Sequence, residues 1–110
     1  MKISLSETSF FDKKDFTGNV YVGKDKRMAF NALLVDCIVG HYKTKLSRAT
    51  RVYLVMAGHG TFTINEAKHT AEEYDLFIIN ADDTYEYNGA MKLFEFNIPA
   101  TDESNEEKIQ

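Results

Sequence analysis

The sequence predicts a single all-β domain, a sandwich or barrel of short antiparallel strands. Three observations carry this. Apolar residues fall in short runs with strand periods. Gly, Asn and Asp separate the runs, and Pro99 is the only proline. No helical stripe longer than two turns is present, and no repeat of 20–50 residues.

The elements follow in order. Val20-Tyr21-Val22 is a short run before Gly23, and Ala29 to Val39 is a long extended segment ending at Gly40. Arg51 to Met56 is β-branched and aromatic, and it stops at Ala57-Gly58-His59-Gly60. Thr61-Phe62-Thr63-Ile64 alternates with period two up to Asn65-Glu66, a hairpin turn. Ala67 to Tyr74 is helical by propensity but too short to stand alone, and between hairpin signals it reads as a strand plus turn. Leu76-Phe77-Ile78-Ile79 is a continuous apolar run, and Asn80-Ala81-Asp82-Asp83 then turns the chain. Tyr85-Glu86-Tyr87 leads to Asn88-Gly89, a strong hairpin signal, and Met91 to Ile98 is stopped by Pro99.

With 110 residues the chain holds one domain, large enough for a core without disulfides. The expected division is a single domain over 1–100, with N-terminal strands and barrel edge in 1–28, and an acidic flexible tail over 101–110. From Asp102 onward there are four acids, one lysine and little to bury. The net charge of -4, without a basic cluster, argues against nucleic acid as a partner. No segment approaches the roughly 20 apolar residues of a membrane span, and no signal peptide is visible. A cytoplasmic location, with no membrane partner, is expected. The lone Cys37 lies in an apolar run and reads as a small buried hydrophobe.

The stretch from Arg51 to Pro99 resembles the cupin family, including small uncharacterised bacterial cupins with degenerate metal motifs. Arg51 to Ile64 looks like the end of the family's first motif, with Gly58 and Gly60 at its tight turn. Tyr74 to Tyr85 looks like the second, position by position. The resemblance implies a cupin-type antiparallel β-barrel, or double-stranded jelly roll. It also implies where a metal would sit, and there the match breaks. Arg51 stands at the glutamate position, Tyr85 at the last histidine, and the first two histidines fall within Thr44-Lys45-Leu46-Ser47. An arginine is always cationic and repels a divalent ion, so no metal and no cofactor is expected. His41, His59 and His69 have no ligand spacing and read as surface or turn residues, none with a clear inward place.

Alternation from Arg51 directs Arg51, Tyr53 and Val55 to one face, and Tyr85 and Tyr87 to one face; the resemblance makes both inward. Arg51, Tyr53, Tyr85 and Tyr87 are the candidate ligand-binding residues. A buried arginine needs partners, such as phenolic oxygens, Glu95 or an anionic ligand. Two readings stand: a network that plugs the barrel, or a pocket lining for a small anionic or carbohydrate-like ligand. The functional expectation is a metal-free cupin binding a small polar or anionic molecule, with no catalysis required. One alternative is a metal-independent sugar isomerase or epimerase, with the Tyr85 or Tyr53 pKa lowered beside Arg51. The other is an interaction module acting as a homodimer, through Ile3, Leu5, Phe10, Phe11 and Phe16 unless these cap their own barrel.

Overall fold

The computed structural model describes residues 1–109. Eleven strands form two antiparallel sheets: β1 Ser9–Asp12, β2 Phe16–Val22, β3 Asn31–Cys37, β4 Gly40–Leu46, β5 Thr50–Gly58, β6 Gly60–Ile64, β7 Ala67–Ala71, β8 Leu76–Ile79, β9 Thr84–Asn88, β10 Met91–Ile98 and β11 Glu106–Lys108. One sheet runs β1-β2-β3-β10-β5-β8, the other β11-β4-β9-β6-β7. Packed face to face, they make the double-stranded jelly roll. No helix among the described residues is long and apolar enough to cross a membrane.

The turns form where their chemistry directs. Asn65 and Glu66, both at positive φ, join β6 to β7 as a hairpin. Asn88-Gly89 turns the chain but does not form the expected hairpin: β9 and β10 belong to different sheets, so the turn is a crossing between them. Gly58 sits at φ 83°, and a Cβ there would meet the Ala90 carbonyl oxygen at 2.2 Å, which only glycine avoids. Ala67 to Tyr74 is strand β7 followed by a turn. Tyr74 and Asp82 both adopt left-handed backbone, at φ 73° and 72°. These are the positions where the second motif carries glycine, so the backbone turns there although the residue does not invite it.

The core lies between the sheets. Phe62 stacks on Phe77 with ring centroids 4.3 Å apart and on Tyr87 at 4.8 Å. Val35, Val55, Met91 and Leu93 complete the packing, and Cys37 lies buried among them. Burial, with some help from Asp15, pushes the Cys37 thiol up to about 11, which makes it inert. Of the N-terminal apolar residues, Phe16 is buried and Phe11 packs on the core, while Phe10 and Leu5 are exposed.

One expectation is corrected. Residues 101–110 do not behave as a loose tail over their described part. Thr101 and Asn105 are buried, and β11 pairs with β4 through Glu106↔Leu46, Glu107↔Lys45 and Lys108↔Thr44. The segment is held by polar bonds, not apolar burial. Ser47 donates its backbone N–H to the Asn105 carbonyl at 2.8 Å, and Asn105 Nδ2 donates to the Ser47 carbonyl at 2.9 Å. Composition measures only the apolar side of the ordering balance, so it missed these bonds.

Candidate functional site

The site begins with alternation along three strands. On β5, Arg51, Tyr53 and Val55 are buried; on β9, Tyr85 and Tyr87; on β10, Leu93, Glu95 and Asn97. The register sets Arg51 opposite Asn97 and Tyr53 opposite Glu95. All four sequence-predicted residues therefore enter the interior together.

Arg51 is the hub. Its Nε donates to Asn97 Oδ1 at 2.6 Å, and its Nη1 donates to Tyr85 Oη at 2.8 Å and to Glu106 Oε1 at 2.9 Å. Nη2 makes one longer bond, 3.4 Å, to Thr101 Oγ1, and Glu95 Oε2 lies 3.4 Å from Nε. The Tyr85 and Tyr53 hydroxyls are 3.0 Å apart. Burial opposes the guanidinium charge, but Tyr85, Glu95, Tyr53 and Glu106 hold its pKa well above the ordinary value. Glu95 and Glu106 offset the Arg51 charge, so the arginine finds its partners within the protein.

A cavity of about 610 Å³ opens above this network, bordered by Phe11, Phe16, Asn31, His41, Arg51, Glu95 and Glu106 among others. Of the four predicted residues only Arg51 borders it. Tyr53 and Tyr85 stand behind the wall, and Tyr87 borders a second hollow of about 510 Å³ beyond His41. The network and the cavity coexist, so plugging and pocket are not exclusive.

His41 overturns an expectation. The expected turn or surface placement does not hold: it is buried on β4, its ring 4.7 Å from Phe16, 5.4 Å from Tyr85 and 5.2 Å from Tyr87. A β-bulge is the cause. β4 advances three residues from His41 to Thr44 while β9 advances two, from Tyr87 to Tyr85. The extra residue lets His41 and Thr44 both face inward, whereas strict alternation groups His41 with Lys43 and Lys45, an outward set. His59 and His69 are exposed, as expected.

Its tautomer is set by a neighbour. His41 Nδ1 lies 2.6 Å from the Tyr42 carbonyl oxygen, which only accepts, so Nδ1 carries the proton in the neutral ring. Nε2 keeps its lone pair and has no partner among the described residues. Burial lowers the His41 pKa, partly offset by the Tyr42 bond and by Glu106 and Glu95. The tyrosines behave oppositely to expectation. Burial raises Tyr85 to about 12 despite Arg51, and raises Tyr53 and Tyr87 well above their ordinary value. Desolvation of a phenolate in this interior outweighs one cation already shared with two carboxylates. Tyr85 accepts from Arg51, and one of the Tyr53 and Tyr85 hydroxyls donates to the other.

A divalent metal does not fit the positions where cupins hold one. Arg51 and Tyr85 occupy two of them, and the inward side chains of the remaining stretch are Thr44 and Leu46. A fixed cation and an aliphatic side chain are not ligands. No group of three or more His, Cys, Asp or Glu side chains that could hold a metal occurs among the described residues.

Beyond the four predicted residues, the site uses His41, Asn31, Glu95, Asn97 and Glu106. Alternation from Tyr53 could have found Glu95 and Asn97. Glu106 carried no signal, because it arrives on β11.

No model of a known protein family matches this chain, and no curated protein matches it. Solved structures do. Pac13, described as a unique nucleoside dehydratase, is similar at TM-score 0.89 and 23% identity, covering 100% of this chain and 91% of its own. Variants of Streptomyces PAC13 with a tyrosine changed to phenylalanine, or a histidine to glutamine, are known with uridine, at 22% and 24% identity. KdgF from Halomonas sp. is similar at TM-score 0.79 and 11% identity, covering 93% of this chain and 96% of its own. The Cnp3 cupin domain of Schizosaccharomyces pombe is similar at TM-score 0.74 and 13% identity, covering 87% and 72%. These likenesses establish the cupin fold.

Proposed function

We propose that this cupin-fold chain binds a small neutral, hydroxylated molecule of the nucleoside or sugar kind at the barrel mouth. There it performs metal-independent acid–base chemistry, the removal of water, with His41 as the base. The observation that carries this reading is His41 itself, a residue bordering the cavity, neutral by burial and oriented by the Tyr42 carbonyl, with Nε2 unpartnered among the described residues. The described nucleoside dehydratase activity of Pac13, and its uridine-bound histidine and tyrosine variants, support the same reading.

Charge selects a neutral ligand over the anion first expected. Four carboxylates border the cavity, Glu95, Asp102, Glu103 and Glu106, against three cations, Lys13, Arg51 and Lys108. Arg51 spends most of its donors on protein partners, so little remains for bidentate capture of an anion.

The chemistry balances with one residue. Nε2 takes a proton from a carbon of the substrate, and the C–H electron pair becomes the new C=C bond. The C–O bond on the adjacent carbon breaks, and the imidazolium returns its proton to the departing hydroxyl, releasing one water. Arg51 and the tyrosines behind it brace one wall, and Phe11 and Phe16 give the cavity apolar surface.

The test is deuterium exchange and water loss, followed by NMR, across nucleosides, their oxidised forms and simple sugars. His41→Gln should abolish exchange while ligand binding persists. Exchange undiminished in that variant, or no binding by any compound, would sink the proposal. Exchange without water loss on a sugar would mark an isomerase or epimerase in the same site.

A second reading is favoured by a different surface. Leu76, Ile78, Met56 and Ile98 are exposed on or beside the outer face of the six-stranded sheet, a suitable contact for a second copy. Phe11 and Phe16 are engaged in their own barrel, which moves the dimer expectation from the N-terminal residues to this sheet. Sedimentation at two concentrations decides, and a monomer throughout removes it.

A further inference from the structure

The C-terminal segment supplies one wall of the cavity. Thr101, Asp102, Glu103, Glu106 and Lys108 all border it. Thr101 donates its backbone N–H to Asn31 Oδ1 at 2.6 Å, and Glu106 Oε1 accepts from Arg51 Nη1 at 2.9 Å. Through β11 the same segment pairs with β4, so it ties β3 and β5 of one sheet to β4 of the other. Almost nothing apolar holds it there. From Thr101 to Lys108 every side chain is polar or charged. Its attachments include an Arg48 Nη2 bond to the Ser104 carbonyl at 3.0 Å and the exposed Lys24–Asp102 ion pair at 3.0 Å. β11 itself is three residues long and forms the edge of its sheet. Segments with little buried apolar surface and with bonds open to water are the ones that open locally, far below the cost of global unfolding.

One residue anchors this strap without bordering the cavity. Asn105 is buried, and each of its polar groups is occupied. Nδ2 donates to the Ser47 carbonyl at 2.9 Å, and Oδ1 accepts from the Asp102 backbone N–H at 3.1 Å. The Asn105 carbonyl accepts from the Ser47 N–H at 2.8 Å, and its own N–H donates to the Asp102 carbonyl at 3.1 Å. Ser47 lies in the connection between β4 and β5, just ahead of Arg51, and Glu106 follows Asn105 directly. The anchor therefore fixes where Glu106 meets Arg51, although its own bonds all serve the attachment of the strap.

Resting on the reading of the barrel as a ligand site, we infer that residues 101–109 form a strap whose docking is coupled to ligand occupancy, with Asn105 as its positioning residue. A ligand in the cavity contacts the docked wall, so it binds the docked state better and holds the strap down. By reciprocity the docked strap raises the affinity for the ligand. The apparent affinity is then the intrinsic one reduced by the docked fraction. Undocking takes Glu106 from Arg51 and Thr101 from Asn31, which keeps the ligand-free chain on the docked side. Asn105 acts through the wall it places and takes no part in proton transfer.

Uridine is the probe, followed by titration and by amide hydrogen exchange. The Ser47 and Ile109 N–H groups cross the seam between β4 and the strap, to the Asn105 and Lys43 carbonyls at 2.8 and 2.9 Å. In the wild-type chain they should exchange together, faster than the β3–β10 ladder. Saturating uridine should slow both by about tenfold or more, and the ladder by less. Asn105→Ala should weaken uridine by about tenfold, since it unpairs the Ser47 carbonyl and the Asp102 N–H and lowers the docked fraction. A staple then separates positioning from general stability. Lys45 and Glu107 are register partners, and neither borders the cavity. In the Asn105→Ala chain, oxidised Lys45→Cys with Glu107→Cys should restore uridine affinity to within about twofold of wild type, and reduction should remove the gain. Undiminished affinity in Asn105→Ala, or a staple without effect on it, overturns the coupling. Unslowed Ser47 and Ile109 amides in the uridine complex overturn it even if the variants fail to fold. If uridine does not bind the wild type, the nucleoside reading falls and the coupling with it; uridine bound without these effects removes the coupling alone.

Discussion

The two ends of the barrel interior are lined by the same strands and built on opposite principles. On β5 the inward residues pass from Arg51 through Tyr53 to Val55; on β10, from Asn97 and Glu95 to Leu93 and Met91; on β3, from Asn31 to Val35 and Cys37. The base is closed by stacked rings and aliphatic side chains. The mouth is a hydrogen-bonded network around one guanidinium, with a cavity above it. At the base, packing stabilises. At the mouth, the desolvation of Arg51, Glu95 and Glu106 is roughly offset by their mutual bonds, so the network contributes orientation more than stability. Tyr53 and Tyr85 form the seam, with rings packed toward the base and hydroxyls joined to the network.

This contrast can be broken most forcefully at Phe62 and Arg51. Phe62→Ala should cost about 3–5 kcal/mol of stability by chemical denaturation, from lost burial and the cavity left between Phe77 and Tyr87. Arg51→Met should cost a similar amount, about 3–5 kcal/mol, for the other reason: it strands Glu95 and Glu106 beside an apolar side chain. The distinguishing result is rescue. Adding Glu95→Gln and Glu106→Gln to Arg51→Met should recover much of the loss, whereas no polar change elsewhere rescues Phe62→Ala. A triple variant as unstable as Arg51→Met alone would mean that the mouth is packed like the base.

A smaller effect sharpens the seam. Tyr85→Phe removes a bond to a charged group and should cost about 1.5–3 kcal/mol, while Tyr53→Phe removes only a neutral pair and should cost about 1 kcal/mol. Equal losses in thermal unfolding would show that the Arg51 bond carries no special weight.

The smallest effect concerns pH. His41 in the folded chain titrates below 6.5, while the unfolded ring titrates near that value. As pH falls, the unfolded chain binds the proton first, so the stability due to a neutral His41 is present above 6.5. It is lost progressively as pH falls below 6.5 toward the folded pKa. Stability measured across this window should decline on acidification, and His41→Gln should flatten the decline. An unchanged slope in the variant would assign the dependence to other groups.

How much of this was legible before folding varies by element. The hairpin at Asn65-Glu66 follows from local turn chemistry, and strands β5, β6, β8 and β9 from period-two or continuous apolar runs, whereas Asn88-Gly89 turns the chain as its residues direct but carries it from one sheet to the other. Arg51, Tyr53, Tyr85 and Tyr87 followed from the same alternation combined with the cupin resemblance. His41 did not, because a single inserted residue before Thr44 reverses its face, and period counting places it with lysines. Glu106 did not, because an edge strand recruited by backbone pairing needs no apolar pattern. Tyr85 and Tyr53 face inward as alternation directs, but their acidity follows from burial, which raises both, with the Arg51 cation shared by Glu95 and Glu106.

By itself, the sequence determined an antiparallel β fold, most of its turns and the inward alternation of Arg51, Tyr53, Tyr85 and Tyr87. Those features rest on short-range rules, the two-residue side-chain period and the backbone preferences of a few turn residues. Only the tertiary structure decided which ionisable and amide groups converge. Arg51 meets Glu106 across 55 residues of chain, and Asn31 meets Thr101 across 70. Bonds of that span depend on sheet order, one bulge and a C-terminal strand, and none of these is written in a local pattern.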